Sequence, residues 1–292
     1  MTDHDFDTDM TGQKPRLVLM GEFSAGKSTL SNMLLGSRPL PMRVTATRLP
    51  PVEITYGPQN ACAVGIDGER TPINLEKLED VCLEETRSIE LQMEEELLEH
   101  CALIDMPGVS DPSMQRQYWQ DVVRSDDHVL WCTHATQAWR QSEAAIWNVL
   151  RPSARGASLL LITQFDKLRN ERDQKRVVKR IERETEGLFD AIYPVSLLAA
   201  LEAGEDEAAW EASGAAALSA HIARIVAAGP ASTDAEEMDD ATTPLMLTDP
   251  LNAPADFAPR GNGSVVPRRI RMKSGSSGRD GALAGLSPGL GR

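Results

Sequence analysis

RLVLMGEFSAGKSTL, Arg16 to Leu30, is the stretch that decides the fold of this 292-residue chain. Leu17, Val18, Leu19 and Met20 form a continuous apolar run of the length of a strand buried on both faces, as in a parallel sheet. Gly21 and Gly26 then bracket four residues, and Lys27 and Ser28 open a segment, STLSNMLL, with helical periodicity. Glycines let the backbone curl so that successive N–H groups point inward at phosphate oxygens, and a helix starting there adds the positive end of its dipole. Lys27 is then expected to bridge terminal phosphates, with the Ser28 hydroxyl on Mg²⁺. The loop so read comprises Gly21, Glu22, Phe23, Ser24, Ala25, Gly26, Lys27, Ser28 and Thr29. A glycine-bearing turn with a chance Gly-Lys-Ser is the competing reading; strand, loop and helix in the required order weigh against it.

The rest of the chain sets limits. Its length is enough for one large domain or two small ones with a sizeable core. A net charge of −14 argues against nucleic-acid binding, because a phosphate polymer is repelled unless a basic patch overrides the overall field. Cys62, Cys82, Cys101 and Cys132 are far apart and lack any CxxC pairing, so neither a zinc site nor a disulfide framework is suggested, and a reducing cytoplasm fits. The opening MTDHDFDTDMTGQK is acidic where a secretion signal is basic and then apolar. No run has the length to span a bilayer, so membrane contact is expected to be peripheral, at the inner face.

Residues 1–14 read as a disordered leader. Past the first helix, 36–43 is an irregular connection. Val52–Tyr56 and Ala61–Ile66 have the alternation of paired strands, with GPQN between them as a turn. Asn74–Leu83 suggests a short helix and Ser88–Met93 a half-buried strand. Cys101–Ile104 is a short buried strand ending at Asp105. Helices are expected at 114–124 and 142–150, with strands at 128–132 and 158–163. A charged helix follows over 170–189, its apolar face lined by Val177, Val178, Ile181 and Leu188. Ile192–Ser196 is the last strand, and Ala-rich segments to Ala228 give one or two closing helices. This alternation implies an α/β fold of the P-loop NTPase type: three layers, a mostly parallel sheet with helices on both faces, and ligands at the carboxyl ends of the strands. From Gly229 the composition turns to Pro, Ala, Asp, Gly and Ser, and 229–292 reads as a disordered tail.

A triphosphate held by the first loop calls for a carboxylate at the end of a second strand. LIDMPG supplies Asp105, expected to reach the metal, and Gly108, whose N–H can bond the γ-phosphate. Base choice is readable as well. In TQFD (163–166), with Lys167 beside it, Asp166 can accept the two N–H donors of guanine together; adenine lacks that pair. A surface N-cap ahead of the charged helix is the other reading of Asp166.

GEFSAGKSTLSNMLLG, the Thr-Arg within VTATRLP, DMPG, TQFD and YPVS together resemble the GTPase domain of the dynamin superfamily, especially bacterial dynamin-like proteins. The likeness covers about residues 14–200 and sets expected bounds of 15–228 for the G domain. It implies GTP as ligand and Mg²⁺ as cofactor held by Ser28, Thr47 and Asp105, with Thr45 the runner-up to Thr47 as switch threonine. Ser24 is implied over the phosphates, Ser196 in the loop supporting the guanine with Thr163, Gln164 and Lys167, and Ser24, Lys27, Thr47 and Gly108 as the catalytic set. Three positions depart from the family pattern: Phe23 where dynamins carry a glutamine, Val109 where Ras-like GTPases carry one, and Gln164 in place of lysine. The resemblance therefore implies slow intrinsic hydrolysis, accelerated when two G domains meet face to face in a homodimer. The alternative is a slow or non-hydrolysing GTP-dependent switch acting through a partner chain. No room for a helical stalk follows Ala228, so a membrane surface or a companion stalk-bearing protein is the expected partner, and no nucleic acid.

Two lesser features remain. His134 with Cys132 and Cys101 could be imagined as a metal site, but packing beneath the nucleotide explains them better; Trp139 or Arg140 is a candidate dimer contact. The basic run RRIRMK (268–273) either docks on an anionic surface or is a solvated charge cluster.

Overall fold

The computed structural model describes residues 14–36, 49–74, 81–82, 84–109 and 122–229. The switch threonine candidates Thr45 and Thr47, the helices expected at 74–83 and 114–124 over most of their length, the leader and the tail with its basic run lie outside the described residues.

Strand β1 (Arg16–Gly21) is buried at every position, as its unbroken apolar run requires. Helix α1 (Lys27–Leu35) begins at Gly26 and stops at Gly36, both in the left-handed region where glycine carries no Cβ penalty. The remaining strands are β2 (Val52–Tyr56), β3 (Asn60–Gly65), β4 (Arg70–Pro72), β5 (Thr86–Met93), β6 (Ala102–Asp105), β7 (His128–His134), β8 (Ser158–Thr163) and β9 (Ala191–Pro194). The other helices are α2 (Gln141–Leu150), α3 (Glu171–Glu184), α4 (Leu197–Glu202), α5 (Glu207–Ala212) and α6 (Ala215–Ala228).

Among the described residues nine strands join one sheet in the order β4-β3-β5-β2-β6-β1-β7-β8-β9. From β6 to β9 every pairing is parallel; β2 runs antiparallel to β6. Alternate residues of β1 feed opposite faces. Leu17 and Leu19 pack with Leu30, Leu34, Leu197, Leu218 and Ile222 of α1, α4 and α6. Val18 and Met20 pack with Trp147, Leu150 and Ile181 of α2 and α3. The three-layer α/β expectation is therefore met. At the amino-terminal end of β1, buried Arg16 pairs with buried Asp127 at 2.9 Å. Among the described residues no helix is long and apolar enough to cross a membrane.

The structure departs from the sequence expectation in several places. β2 and β3 do not pair with each other: β5 lies between them, parallel to β2 and antiparallel to β3. The eight-residue β5 satisfies both neighbours, and the connection at Gly57 crosses its end, the Gly57 N–H bonding the Met93 carbonyl at 3.3 Å. Helix α3 stops at Glu184 because Thr185 turns its hydroxyl back onto the Ile181 carbonyl and Gly187 adopts φ 67°. The closing Ala-rich region is three helices among the described residues, broken at Gly204 and Gly214, both with positive φ. Finally, β7 continues to His134 and β9 ends at Pro194.

Candidate functional site

The phosphate loop leaves β1 at Gly21, where φ is 137° and an added methyl would sit 2.1 Å from the Cys132 carbonyl oxygen. Only glycine lets β1 run this close to β7 before turning. Ser24 (φ 58°) and Gly26 (φ 93°) are also left-handed, so backbone N–H groups converge as in an anion-binding nest. Buried Lys27 donates to the Gly21 and Glu22 carbonyls at 3.0 and 2.8 Å, which ties its ammonium beneath the loop. Burial lowers its pKa, opposed by the Asp105 charge.

Asp105 ends β6 beside β1. Its carboxylate Oδ2 lies 3.5 Å from the Ser28 hydroxyl, and burial pushes its pKa up to about 6 against the pull of Lys27 and Ser28. A buried carboxylate raised in this way, next to a hydroxyl, fits a hard divalent cation, which relieves the desolvated charge. Past it, the Met106 N–H bonds Leu19 and the Val109 N–H bonds Gly21. Gly108 therefore lies flat on the phosphate loop: a methyl on it would come within 2.8 Å of the Phe23 nitrogen. Phe23 itself is 62% exposed.

The expected base-reading segment sits two strands away, at the end of β8. Fully buried Thr163 donates its hydroxyl to the Ala25 carbonyl at 2.6 Å. Gln164 adopts φ 52° and its amide donates to the Ser24 carbonyl at 2.9 Å, so this residue clamps the phosphate loop. Asp166 stands exposed in the short turn Phe165–Lys167. The competing cap reading fails, because Asn170 caps α3 through the Asp173 N–H. Lys167 Nζ lies 3.3 Å from His134 Nε2. Ser196 opens α4, its N–H held by the Ser213 carbonyl, and the neighbouring Leu197 packs against Gly26. The expected residues among those described thus gather on one edge of the sheet, with Glu22, Ala25 and Thr29 in the same loop and helix start.

Cys101, Cys132 and His134 do not come together. Ala102 pairs beside Arg16 and Cys132 beside Gly21, about 16 Å apart along β1 at roughly 3.3 Å per residue. Burial pushes the Cys132 thiol up to about 12, leaving it a protonated packing residue. Trp139, offered as a dimer contact, is 7% exposed and packs edge-on to Trp131 and Phe189.

Sequence reasoning passed over the support of the loop by α2. Arg140 and Ser142 both bond the Glu22 carboxylate. Buried Glu143 accepts from Trp131 Nε1, the Thr133 hydroxyl and the Arg140 N–H. The only sequence signal was a glutamate in the first turn of the helix expected at 142–150. The helix starts one residue earlier, at Gln141, which makes Glu143 its third position, the place from which it can bond the cap residue's N–H.

A strand, a glycine loop closing on a buried lysine, a helix, a carboxylate at the next strand end and a second loop-clamping turn two strands on define a P-loop domain of the G-domain type. The chain belongs to the dynamin family, whose sequence model matches residues 17–165. It is similar to Dynamin-like protein 2 of Campylobacter jejuni, 25% identical over 158 residues. That match takes in 52% of this chain and 26% of the relative, so the chain spans about a quarter of that protein. Two solved structures of an oligomerised bacterial dynamin pair, described as a mechanism for long-range sensing and tethering of membranes, share the fold. Their TM-scores are 0.53 and 0.54 at 19% and 21% identity, over 73% of this chain and 36% of theirs.

Proposed function

We propose that this chain binds GTP with Mg²⁺ and hydrolyses it slowly to GDP and phosphate. The observation that carries the reading is the meeting of Lys27, Asp105 and Asp166 along one sheet edge. Asp166 follows β8, which stands two strand spacings of ~4.8 Å, about 10 Å, from β1, the scale of a nucleotide from its diphosphate to its base. Water attacks the γ-phosphorus; a P–O bond forms to it, and the bond to the bridging oxygen breaks. The work of the chain is positioning and charge neutralisation. Lys27 offsets the charge on the terminal phosphates, and the N–H groups of residues 21–28 and of Gly108 hold their oxygens, with Ser24 over them. Asp166 selects guanine, supported by Thr163, Gln164, Lys167 and Ser196. Mg²⁺, held by Ser28 and Asp105 and, outside the described residues, by Thr47, supplies further neutralisation when bound.

Hydrolysis is slow in this reading because neither residue positioned to orient water can do so. Phe23 is apolar, and Val109 is buried at 5% exposure with its N–H given to Gly21. A face-to-face G-domain homodimer immobilises the water and accelerates the step. The same two residues favour a second reading, a nucleotide-state switch with negligible turnover working through a partner chain. Membrane association, peripheral and from the cytoplasmic side, and a companion stalk-bearing protein belong to this proposal by analogy with the bacterial dynamin pair.

Calorimetry at millimolar Mg²⁺ tests the binding reading. Heat is expected with GTP and GDP, little with ATP, and none with Lys27→Ala. Equal heats for guanine and adenine nucleotides overturn it. Single-turnover phosphate release separates the two mechanisms: a rate that rises with protein concentration supports dimer acceleration, and no release at any concentration supports the switch.

A further inference from the structure

Glu22 puts a negative charge inside a loop that must accept a polyphosphate. Its side chain is 14% exposed, and both carboxylate oxygens are engaged. Arg140 donates to Oε2 at 2.9 Å and the Ser142 hydroxyl to Oε1 at 2.5 Å, across 118 and 120 residues of sequence. The Glu22 carbonyl meanwhile accepts from Lys27. One residue therefore links the phosphate-bridging lysine to the start of α2.

The turn that presents Arg140 is built at a cost. Trp139 has φ 56°, a conformation that a bulky side chain rarely adopts and that persists only where the surroundings over-determine it. Here they do. The Trp139 N–H donates to the Thr133 hydroxyl at 2.9 Å, and that hydroxyl donates to Glu143 Oε2 at 3.0 Å. Trp131 Nε1 donates to the other Glu143 oxygen at 3.0 Å, and the Arg140 N–H returns to Oε2 at 2.9 Å. Glu143 is 2% exposed. The end of β7 thus fixes a strained turn whose consequence is the position of one guanidinium.

An ion pair with one half-exposed partner adds little to stability, so its weight lies in where the charge sits. We propose that Arg140, assisted by Ser142, is a positioning residue for nucleotide binding: it neutralises Glu22 and holds that carboxylate turned toward α2, away from the incoming phosphates. Without the guanidinium, Glu22 repels the ligand its own loop must hold. The inference rests on the nucleotide reading above, and it assigns to Arg140 no contact with nucleotide.

The test is a double-mutant cycle on the full chain, read as affinity for a fluorescent GDP analogue at fixed salt and Mg²⁺. Arg140→Ala is expected to weaken binding about tenfold and Arg140→Lys about threefold or less, since the charge is retained. In a Glu22→Gln background, adding Arg140→Ala is expected to cost less than about twofold, because no charge remains to neutralise. Ser142→Ala, which leaves the turn intact, is read in the same way: a loss of about threefold that vanishes with Glu22→Gln. A tenfold loss that persists in that background overturns the proposal, since Arg140 then acts on the nucleotide or the fold directly. So does Arg140→Ala binding within twofold of wild type. Wild-type chain that takes up no guanine nucleotide overturns the nucleotide reading along with it; normal wild-type binding with indifferent variants overturns this inference alone.

Discussion

The hydroxyl of Thr163 donates to the carbonyl of Ala25 at 2.6 Å, joining the last residue of β8 to the phosphate loop 138 residues earlier. Both residues are buried, so the bond is shielded from water, and it ties the turn that carries Asp166 to the loop after β1.

Thr163→Val keeps the shape and removes the donor. An unsatisfied buried carbonyl costs about 1–3 kcal/mol. The urea midpoint is expected to fall accordingly, and GDP affinity to fall with it, while the preference for guanine over adenine persists because Asp166 is untouched. Unchanged affinity and stability would show that the two loops keep their spacing without this bond.

Selectivity should reside in Asp166. Two hydrogen bonds to a charged acceptor, at about 1.5–3 kcal/mol each, correspond to at least a hundredfold preference. Asp166→Ala is expected to lower the GDP-to-ADP affinity ratio by about that factor with little effect on unfolding, since the side chain is exposed. Competition binding with both nucleotides measures it.

Gly21 and Gly187 separate strain from collision. Both have positive φ, but a methyl at Gly187 meets nothing within 4 Å, whereas one at Gly21 lies 2.1 Å from the Cys132 carbonyl oxygen. Gly187→Ala is expected to cost about 1–2 kcal/mol. Gly21→Ala is expected to cost about 3 kcal/mol or more and to abolish nucleotide binding. Thermal melts of the pair check the difference.

His128 should make stability fall with acid. Its ring is buried, Nδ1 accepts the Ala157 N–H at 2.9 Å, and burial lowers its pKa from the ordinary 6.5. Below that pH the unfolded chain takes up a proton that the folded chain resists, so the stability His128 contributes is present above pH 6.5 and is lost as pH falls through it. The slope is at most about 1.4 kcal/mol per pH unit. The drop in urea midpoint between pH 7 and pH 5 is expected to be smaller in His128→Asn than in wild type; an equal drop assigns the acid sensitivity elsewhere.

The opening strand, loop and helix were read correctly, whereas the helix expected over 170–189 was drawn too long, since Thr185 and Gly187 end it at Glu184. The run from Leu17 to Met20, the two bracketing glycines and Lys27 constrain one another within a dozen residues, since burial on both faces, left-handed backbone and a helix start each leave a mark on neighbouring positions. Asp105 was legible for the same reason, as the charged end of an apolar strand. The pairing of β2 with β3 was misjudged because alternation reports that a strand is half buried, not which edge lies beside it.

The amino-acid order alone determined that a strand, a phosphate-type loop and a helix follow one another, and that carboxylates stand at the ends of later strands. Only the tertiary structure decided that β5 separates β2 from β3, that Gln164 grips Ser24, and that Arg140 and Ser142 share the carboxylate of Glu22. Hydrophobic period and backbone sterics act between neighbours in the chain and so are written in it. Strand partners and ion pairs more than a hundred residues apart depend on which surfaces meet once the layers close, and no local pattern encodes that choice.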